Sequence, residues 1–171
     1  MMRFKRFLIA CAAAALAGAL PGIVHAAERS APAGQVRIDD VEVRPTAVGP
    51  VVLLKAQGRA IPVFIDGVVA ESIRGALSGR RPARPLTHDL MYDVLKGFQG
   101  EVSQAVITLK GRTFYGALSV RVGSREKVFD SRSSDAIALA IHFKAPILVS
   151  QELIDSAGVV LEPDVPGEKR L

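Results

Sequence analysis

The chain predicts an α+β domain made of a duplicated β-β-β-α-α unit, its strands forming one sheet or a barrel-like core with helices outside. Two observations carry this. Apolar runs of strand length, parted by glycine-bearing turns, precede a pair of helix-like segments, and the same order then occurs a second time. The two copies also overlay: Gly58 on Gly123, Val63-Phe64 on Val128-Phe129, Asp66 on Asp130, Glu71 on Asp135, Ile73 on Ile137, and Thr87 with Asp89 on Ser150 with Glu152. Hydrophobic strands ahead of each helix pair indicate mixed layers, with the helices covering a sheet.

Residues 1–26 read as an export leader that takes no part in this fold. Arg3, Lys5 and Arg6 supply a charged start, residues 7–20 an apolar run rich in alanine, and Val24-His25-Ala26 a small-residue cleavage site. The run is short for a membrane helix and stops at Pro21-Gly22. Leu8-Ile9-Ala10-Cys11 has the letters of a lipidation signal, but most of the apolar run lies after Cys11, which argues against it. The expected location is the periplasm or the medium. Loss of the three leader cations lowers the formal charge from +5 to +2, so contact with nucleic acid has to come from a local patch. Cys11 is the single cysteine, and it leaves with the leader. Thiol catalysis, cysteine-zinc sites and disulfides are thereby excluded from the mature chain, and a hydrophobic core must hold it together. Of the 171 residues, 145 remain once 26 are removed, enough for one core but not for two comfortable domains.

A polar linker is expected over residues 27–35, the folded domain over 36–161 and a disordered tail over 162–171, where two prolines and mixed charges interrupt any pattern. Within the domain, residues 36–43 alternate loosely, while 51–55 and 61–65 are apolar runs, with turns at Gly49-Pro50 and Gln57-Gly58. Residues 66–78 read as a helix closed by Gly79. A second helix runs from Thr87, as its cap, to Phe98, with Leu90, Met91, Val94, Leu95 and Phe98 at helical spacing. In the second copy, residues 102–109 and 113–122 are strands joined at Lys110-Gly111, and a shorter strand ends at Phe129. Residues 134–143 and 150–157 are the corresponding helices, with the apolar stretch 146–149 between them.

Two constellations can carry chemistry. Between the first two helices, Arg80, Arg81 and Arg84 sit among prolines and lead into Thr87-His88-Asp89. A helix start with unpaired N–H groups and arginines before it suits a phosphate, although such loops are commonly just solvated and Thr-His-Asp is also an ordinary cap. His88 beside Asp89 is the candidate general acid or base. The second constellation, Asp130-Ser131-Arg132-Ser133-Ser134-Asp135, brings two carboxylates and a guanidinium to a helix start that Ser133 or Ser134 can cap. Arg132 paired with an aspartate is the architectural reading. The functional reading gathers Asp130, Asp135 and Glu71 around Mg²⁺ or Mn²⁺, with Arg132 on phosphate. His142, near a helix end, reads as a partner of the helix dipole. Ser-His-Asp order, a glycine-rich phosphate loop and HExxH are all missing from the sequence.

Ile61-Pro62-Val63-Phe64-Ile65, Arg84-Pro85-Leu86-Thr87-His88-Asp89-Leu90, Thr113-Phe114-Tyr115, the run Asp130-x-Arg132-x-Ser134-Asp135 continuing to Ala140, and Ala145-Pro146-Ile147 together resemble the bifunctional nuclease family. The resemblance covers residues 36–158, nearly all of the mature chain. It implies an α+β domain and cleavage of both RNA and DNA. The chain departs from the family's pattern at Ser133, where the family usually has proline, and at Asp66 and Val69. Two functions follow. One is an exported, metal-assisted nuclease that grips nucleic acid through its phosphate backbone. The other is a non-catalytic exported module that keeps the fold for binding or for homo-oligomerisation.

The leader generates a first prediction: protein recovered from its native compartment begins at or near Ala27 and lacks Cys11. Intact mass decides it, and a lipidated Cys11 or a retained Met1 would contradict it.

Overall fold

The computed structural model describes residues 34–161. The expected leader, the linker up to residue 33 and the tail lie outside the described residues. Gln35, expected in the linker, already belongs to a strand, β1 (Gln35–Arg37). The loosely alternating stretch at residues 36–43, expected as one strand, is divided between β1 and β2 (Asp40–Thr46), which lie in different sheets. The crossing takes two residues. Ile38 donates its N–H to the Ile147 carbonyl at 2.9 Å, and Asp39 donates to the Lys55 carbonyl at 2.8 Å. Consecutive peptides are thus tied to opposite sheets, so neither is left unsatisfied.

β2, β3 (Gly49–Ala56) and β4 (Arg59–Phe64) form an antiparallel meander, followed by α1 (Gly67–Ser78) and α2 (Thr87–Gly97). β5 (Gly100–Lys110), β6 (Thr113–Val122) and β7 (Arg125–Arg132) form a second meander, followed by α3 (Ser133–Phe143), β8 (Ile147–Ser150), α4 (Gln151–Ala157) and β9 (Val159–Val160). The duplicated order is present, and each copy builds its own sheet. One has the order β1-β8-β5-β6-β7 and the other β2-β3-β4-β9, so the β structure is two open sheets, not a closed barrel. The apolar stretch before the last helix is β8, parallel to β5 with α3 as the crossover.

The structural overlay of the copies differs in register from the one read in the sequence. The turns at 57–58 and 123–124 correspond, as do the cap residues Asp66 and Arg132, each pair 66 positions apart (123 − 57 and 132 − 66). The sequence overlay used separations of 65, 64 and 63. Arg132 and Ile137, not Asp130 and Asp135, are therefore the counterparts of Asp66 and Glu71.

Local chemistry fixes the helix ends. Asp66 accepts the Val69 N–H at 2.9 Å, and Gly79 ends α1 at φ +69°, a conformation open to glycine. Thr87 is the first helical residue and not the cap. Leu86 holds that position, and the Asp89 carboxylate reaches back to accept the Leu86 N–H at 2.9 Å. Neither Ser133 nor Ser134 caps α3; both are buried in its first turn behind Arg132. Ser150 does cap α4, accepting from the Leu153 N–H.

The main apolar core joins both sheets to α1, α3 and α4, with Leu54, Ile73, Ile107, Ile137, Val149 and Ile154 at its centre, and Val51, Leu53 and Ala60 form a second, smaller cluster. Seven of the first eight residues of α3 are buried, Asp135 being the exception. Alanines at 136, 138 and 140 let that helix settle close to the sheet. At the nearest approach a Cβ on Gly116 would stand 2.6 Å from the Ala136 Cβ and 3.0 Å from the Arg132 carbonyl. Helix α2 inverts the usual pattern. It buries His88 and Asp89 and exposes Leu90, Met91, Val94 and Phe98, the last at 74%.

Gly116→Ala should destabilise the protein by about 1–3 kcal/mol, the usual cost of overpacking, because both neighbours are main chain or a Cβ and cannot rotate away. Urea unfolding of the two proteins measures the difference, and an unchanged midpoint would contradict the packing argument.

Candidate functional site

Asp135 and His142 lie seven residues, or two helical turns, apart on α3, so one face of that helix carries both. The first turn of α2 packs against this face with two consecutive polar residues. His88 Nε2 donates to Asp135 Oδ1 at 3.1 Å. Asp89 Oδ1 lies 3.9 Å from His142 Nε2, which is itself 3.0 Å from the Ser72 hydroxyl of α1. Successive residues of a helix point about 100° apart, so the two expected partners in acid–base chemistry diverge. Ser72, His142 and Asp89 resemble a nucleophilic triad only in residue types. Serine and aspartate approach the same ring nitrogen, whereas such a relay uses one on each side of the ring.

Asp135 is the hub. Arg132 clamps it in a bidentate pair, Nε to Oδ2 at 2.7 Å and Nη2 to Oδ1 at 2.8 Å, and extends Nη1 to within 3.9 Å of Asp66. The Arg132 guanidinium, followed by His88, holds the Asp135 carboxyl below the ordinary carboxylate range against the opposing effect of burial. The Arg132 side chain is 67% exposed, so its charge remains open to a ligand. His88 is buried; with Nε2 engaged, its Nδ1 has no partner and no exposure. That leaves His88 better placed to orient Asp135 than to exchange protons with a substrate.

Two neighbouring hollows divide the residues anticipated from sequence. A cleft of about 1120 Å³ is lined by His88, Arg132, Asp135, Asp130 and Glu71, together with Asp66. Most of the rest of its wall is apolar, with Val68 of α1, Met91 and Val94 of α2, and Leu118, Val120 and Phe129 of the sheet. A smaller pocket of about 270 Å³ lies across α1, lined by Arg74, Arg80, Arg81, Ser72 and Asp89. Glu71 borders both. Arg81 is drawn toward the helix by Asp93 at 3.2 Å and lies over the Tyr92 ring at 5.5 Å. Arg84 is exposed and lines neither hollow.

The donors expected for Mg²⁺ or Mn²⁺ do not make a preformed ion site. Glu71, Asp130 and Asp135 border one cleft, yet among the described residues no three His, Cys, Asp or Glu side chains converge as a metal site. Asp135 also has both oxygens committed to Arg132 and His88. Sequence reasoning missed Asp66, Ser72 and Arg74, and took His142 for a dipole partner where it is a packed group bonded to Ser72. The two-turn spacing from Asp135 to His142 was the signal for that face of α3.

A family model described as the bifunctional nuclease domain matches residues 51–162. The chain belongs to the bifunctional nuclease domain family. An uncharacterized protein of Mycobacterium tuberculosis strain CDC 1551 / Oshkosh is 32% identical over 139 residues, which is 80% of this chain and 82% of the relative. One from strain ATCC 25618 / H37Rv matches with the same identity and coverage. Membership in a bifunctional nuclease family points to nuclease-related chemistry and nucleic-acid binding. No helix among the described residues is long and apolar enough to cross a membrane.

Two groups at this site make stability pH-dependent in the same direction. Asp135 has a folded pKa below its unfolded value, so its contribution is present above about pH 4 and is lost as the pH falls through the folded value. Burial pushes the His142 imidazole below 6.5, so the folded state favours its neutral form, and the 3.9 Å approach to Asp89 is not an ion pair at neutral pH. Its contribution is full above about 6.5 and falls as the pH drops toward the folded value. Asp135→Asn should cost about 1–2 kcal/mol at pH 7 and flatten the acid limb, while His142→Gln should flatten the limb just below neutrality. Denaturant titrations from pH 3 to pH 8 (roughly the span of both groups) check both, and parallel curves for wild type and variants would refute the assignment.

Proposed function

We propose that the protein is an exported nuclease that hydrolyses phosphodiester bonds in RNA, DNA or both. The observation that carries this reading, given the family, is the shared wall at Glu71. It joins a pocket bordered by three arginines to a cleft where a clamped guanidinium faces solvent. A single strand laid across α1 would place flanking phosphates by Arg74, Arg80 and Arg81, and the scissile phosphate by Arg132. Backbone contacts of this kind set position and affinity without reading sequence. Arg132 would offset the charge that builds on the phosphoryl oxygens as water attacks, with Asp135 and His88 fixing its orientation. Glu71, exposed between the two hollows, is the carboxylate placed to take the proton from that water. The chemistry proposed for these residues takes no step through a metal ion; a divalent ion carried in with the nucleic acid is the remaining role for Mg²⁺ or Mn²⁺.

Cleavage of single- and double-stranded RNA and DNA by the purified protein, with Mg²⁺, Mn²⁺ or chelator, tests the reading. Arg132→Ala should lower turnover by about 10²-fold with the fold intact, as loss of one preorganised charge commonly does. Arg81→Ala should chiefly weaken binding and reduce the salt slope by about one unit. Binding without cleavage under every condition would return the protein to the class of non-catalytic modules.

A further inference from the structure

The interior of the large cleft does not suit a phosphate. Carboxylates of Asp66, Glu71, Asp130 and Asp135 line it against the one guanidinium of Arg132. A phosphate drawn inside would shed its water and meet like charge, so phosphates belong at the rim. A nucleobase is neutral and flat, and an apolar cleft can take it. The volume of about 1120 Å³ matches the largest small-molecule sites, which reach roughly 1,000 Å³.

Strand pairing shows how the floor is made. Leu118 of β6 lies opposite Phe129 of β7, Val120 opposite Lys127, and Val122 opposite Arg125. Partners in register share a face of the sheet, as do residues two apart along a strand. Leu118, Val120 and Val122 therefore make an apolar strip, with Phe129, Lys127 and Arg125 in a row beside it. Phe129 is 43% exposed, and Lys127 Nζ stands 5.1 Å from its ring centroid. Across the cleft, α2 supplies Met91 and Val94, both left exposed by the inverted orientation of that helix. From Arg125 to Arg132 the strand takes seven steps (132 − 125), roughly 23 Å, which is room for several phosphates of one strand. An open aromatic ring inside a row of cations is the pattern of sites that stack single-stranded bases.

We propose that the cleft receives unpaired bases, with Phe129 as the stacking platform and Met91 and Val94 as the facing wall. The phosphates of the same strand continue past Arg132, away from the arginine loop, and follow Lys127 and Arg125 along the rim. This rests on the nuclease reading only in taking nucleic acid as the ligand. It deepens that reading by naming the substrate form: a single strand, or a duplex that opens locally, because a base held in the cleft cannot stay paired. Phe129 is then the residue that separates single strands from duplexes. Every base offers a π-face, so it does so without preference for sequence.

The chain contains no tryptophan, so Phe129→Trp puts the sole indole of the protein in the cleft. A short single-stranded oligodeoxynucleotide, added with chelator, should quench its emission. The duplex of the same sequence and an abasic strand of equal length should leave it unchanged. Phe129→Ala should weaken single-strand binding by about 5- to 100-fold, the worth of one stacked base, with the salt slope unchanged. Lys127→Ala should instead lower that slope by about 0.7 unit, as one lost phosphate contact on a single strand does. Equal quenching by the abasic strand or the duplex, or equal single-strand affinity of Phe129→Ala and wild type, would overturn the proposal. Quenching by a protein that cleaves nothing would sink the nuclease reading alone, and cleavage without quenching would sink this one alone. A protein that binds no nucleic acid would remove both.

Discussion

The close approach of α3 to β6 is the constraint from which the functional region follows. Only a glycine at 116 leaves room for Ala136, and only a helix with small residues on its sheet-facing side can use that room. Once α3 is seated, its first turn carries Arg132 and Asp135 to one end of the buried helix and His142 to the other. α1 and α2 then pack on its remaining faces, and each supplies polar partners at the seam: Asp66 and Ser72 from α1, His88 and Asp89 from α2. A polar network threaded between three helices is tolerable because almost every group in it is bonded. Nδ1 of His88 is the exception.

Charge is unevenly shared between the two hollows on either side of α1. The smaller collects guanidiniums, whereas the larger is lined by Asp66, Glu71, Asp130 and Asp135, a single arginine and largely apolar walls. A polyanion approaching the protein meets favourable potential at the arginine loop first, and meets Arg132 only at the junction. Asp135 thus does two things at once: it fixes the guanidinium and it cancels much of its charge. That makes Arg132 a group whose value lies in orientation more than in net attraction.

Much of the fold could be read from residue patterns. The doubled β-β-β-α-α order, the αL end of α1 at Gly79 and the Ser150 cap all depend on local chemistry, which a sequence displays. Sheet membership does not. Nothing in residues 36–43 shows that Ile38 and Asp39 bond to different sheets, because that depends on which partners lie on either side. The same limit applies to α2. Its apolar spacing at Leu90, Met91 and Val94 is plain, but its orientation is set by the pairing of His88 and Asp89 with α3, so the apolar face is left outward. Of the anticipated site, His88, Arg132, Asp135, Asp130 and Glu71 do share a cleft. Asp89 lines the pocket across α1 because neighbouring positions on a helix diverge, and Arg80 and Arg81 line it from the loop between α1 and α2.

The exchange of terminal strands has a consequence for how the molecule comes into being. β1 pairs with β8, joining Gln35 to Ser150 across 115 positions (150 − 35), and β9 pairs with β4, joining Arg59 to Val160. Each copy of the repeat therefore borrows an edge strand from the far end of the chain, and neither is a separable folding unit. Contacts so distant in sequence carry a large loop-closure entropy and come late and slowly. A chain that emerges amino terminus first must hold its opening strand unpaired until nearly the last residues of the domain arrive. Folding completes from both ends together, and the duplication visible in the sequence does not survive as two independent halves.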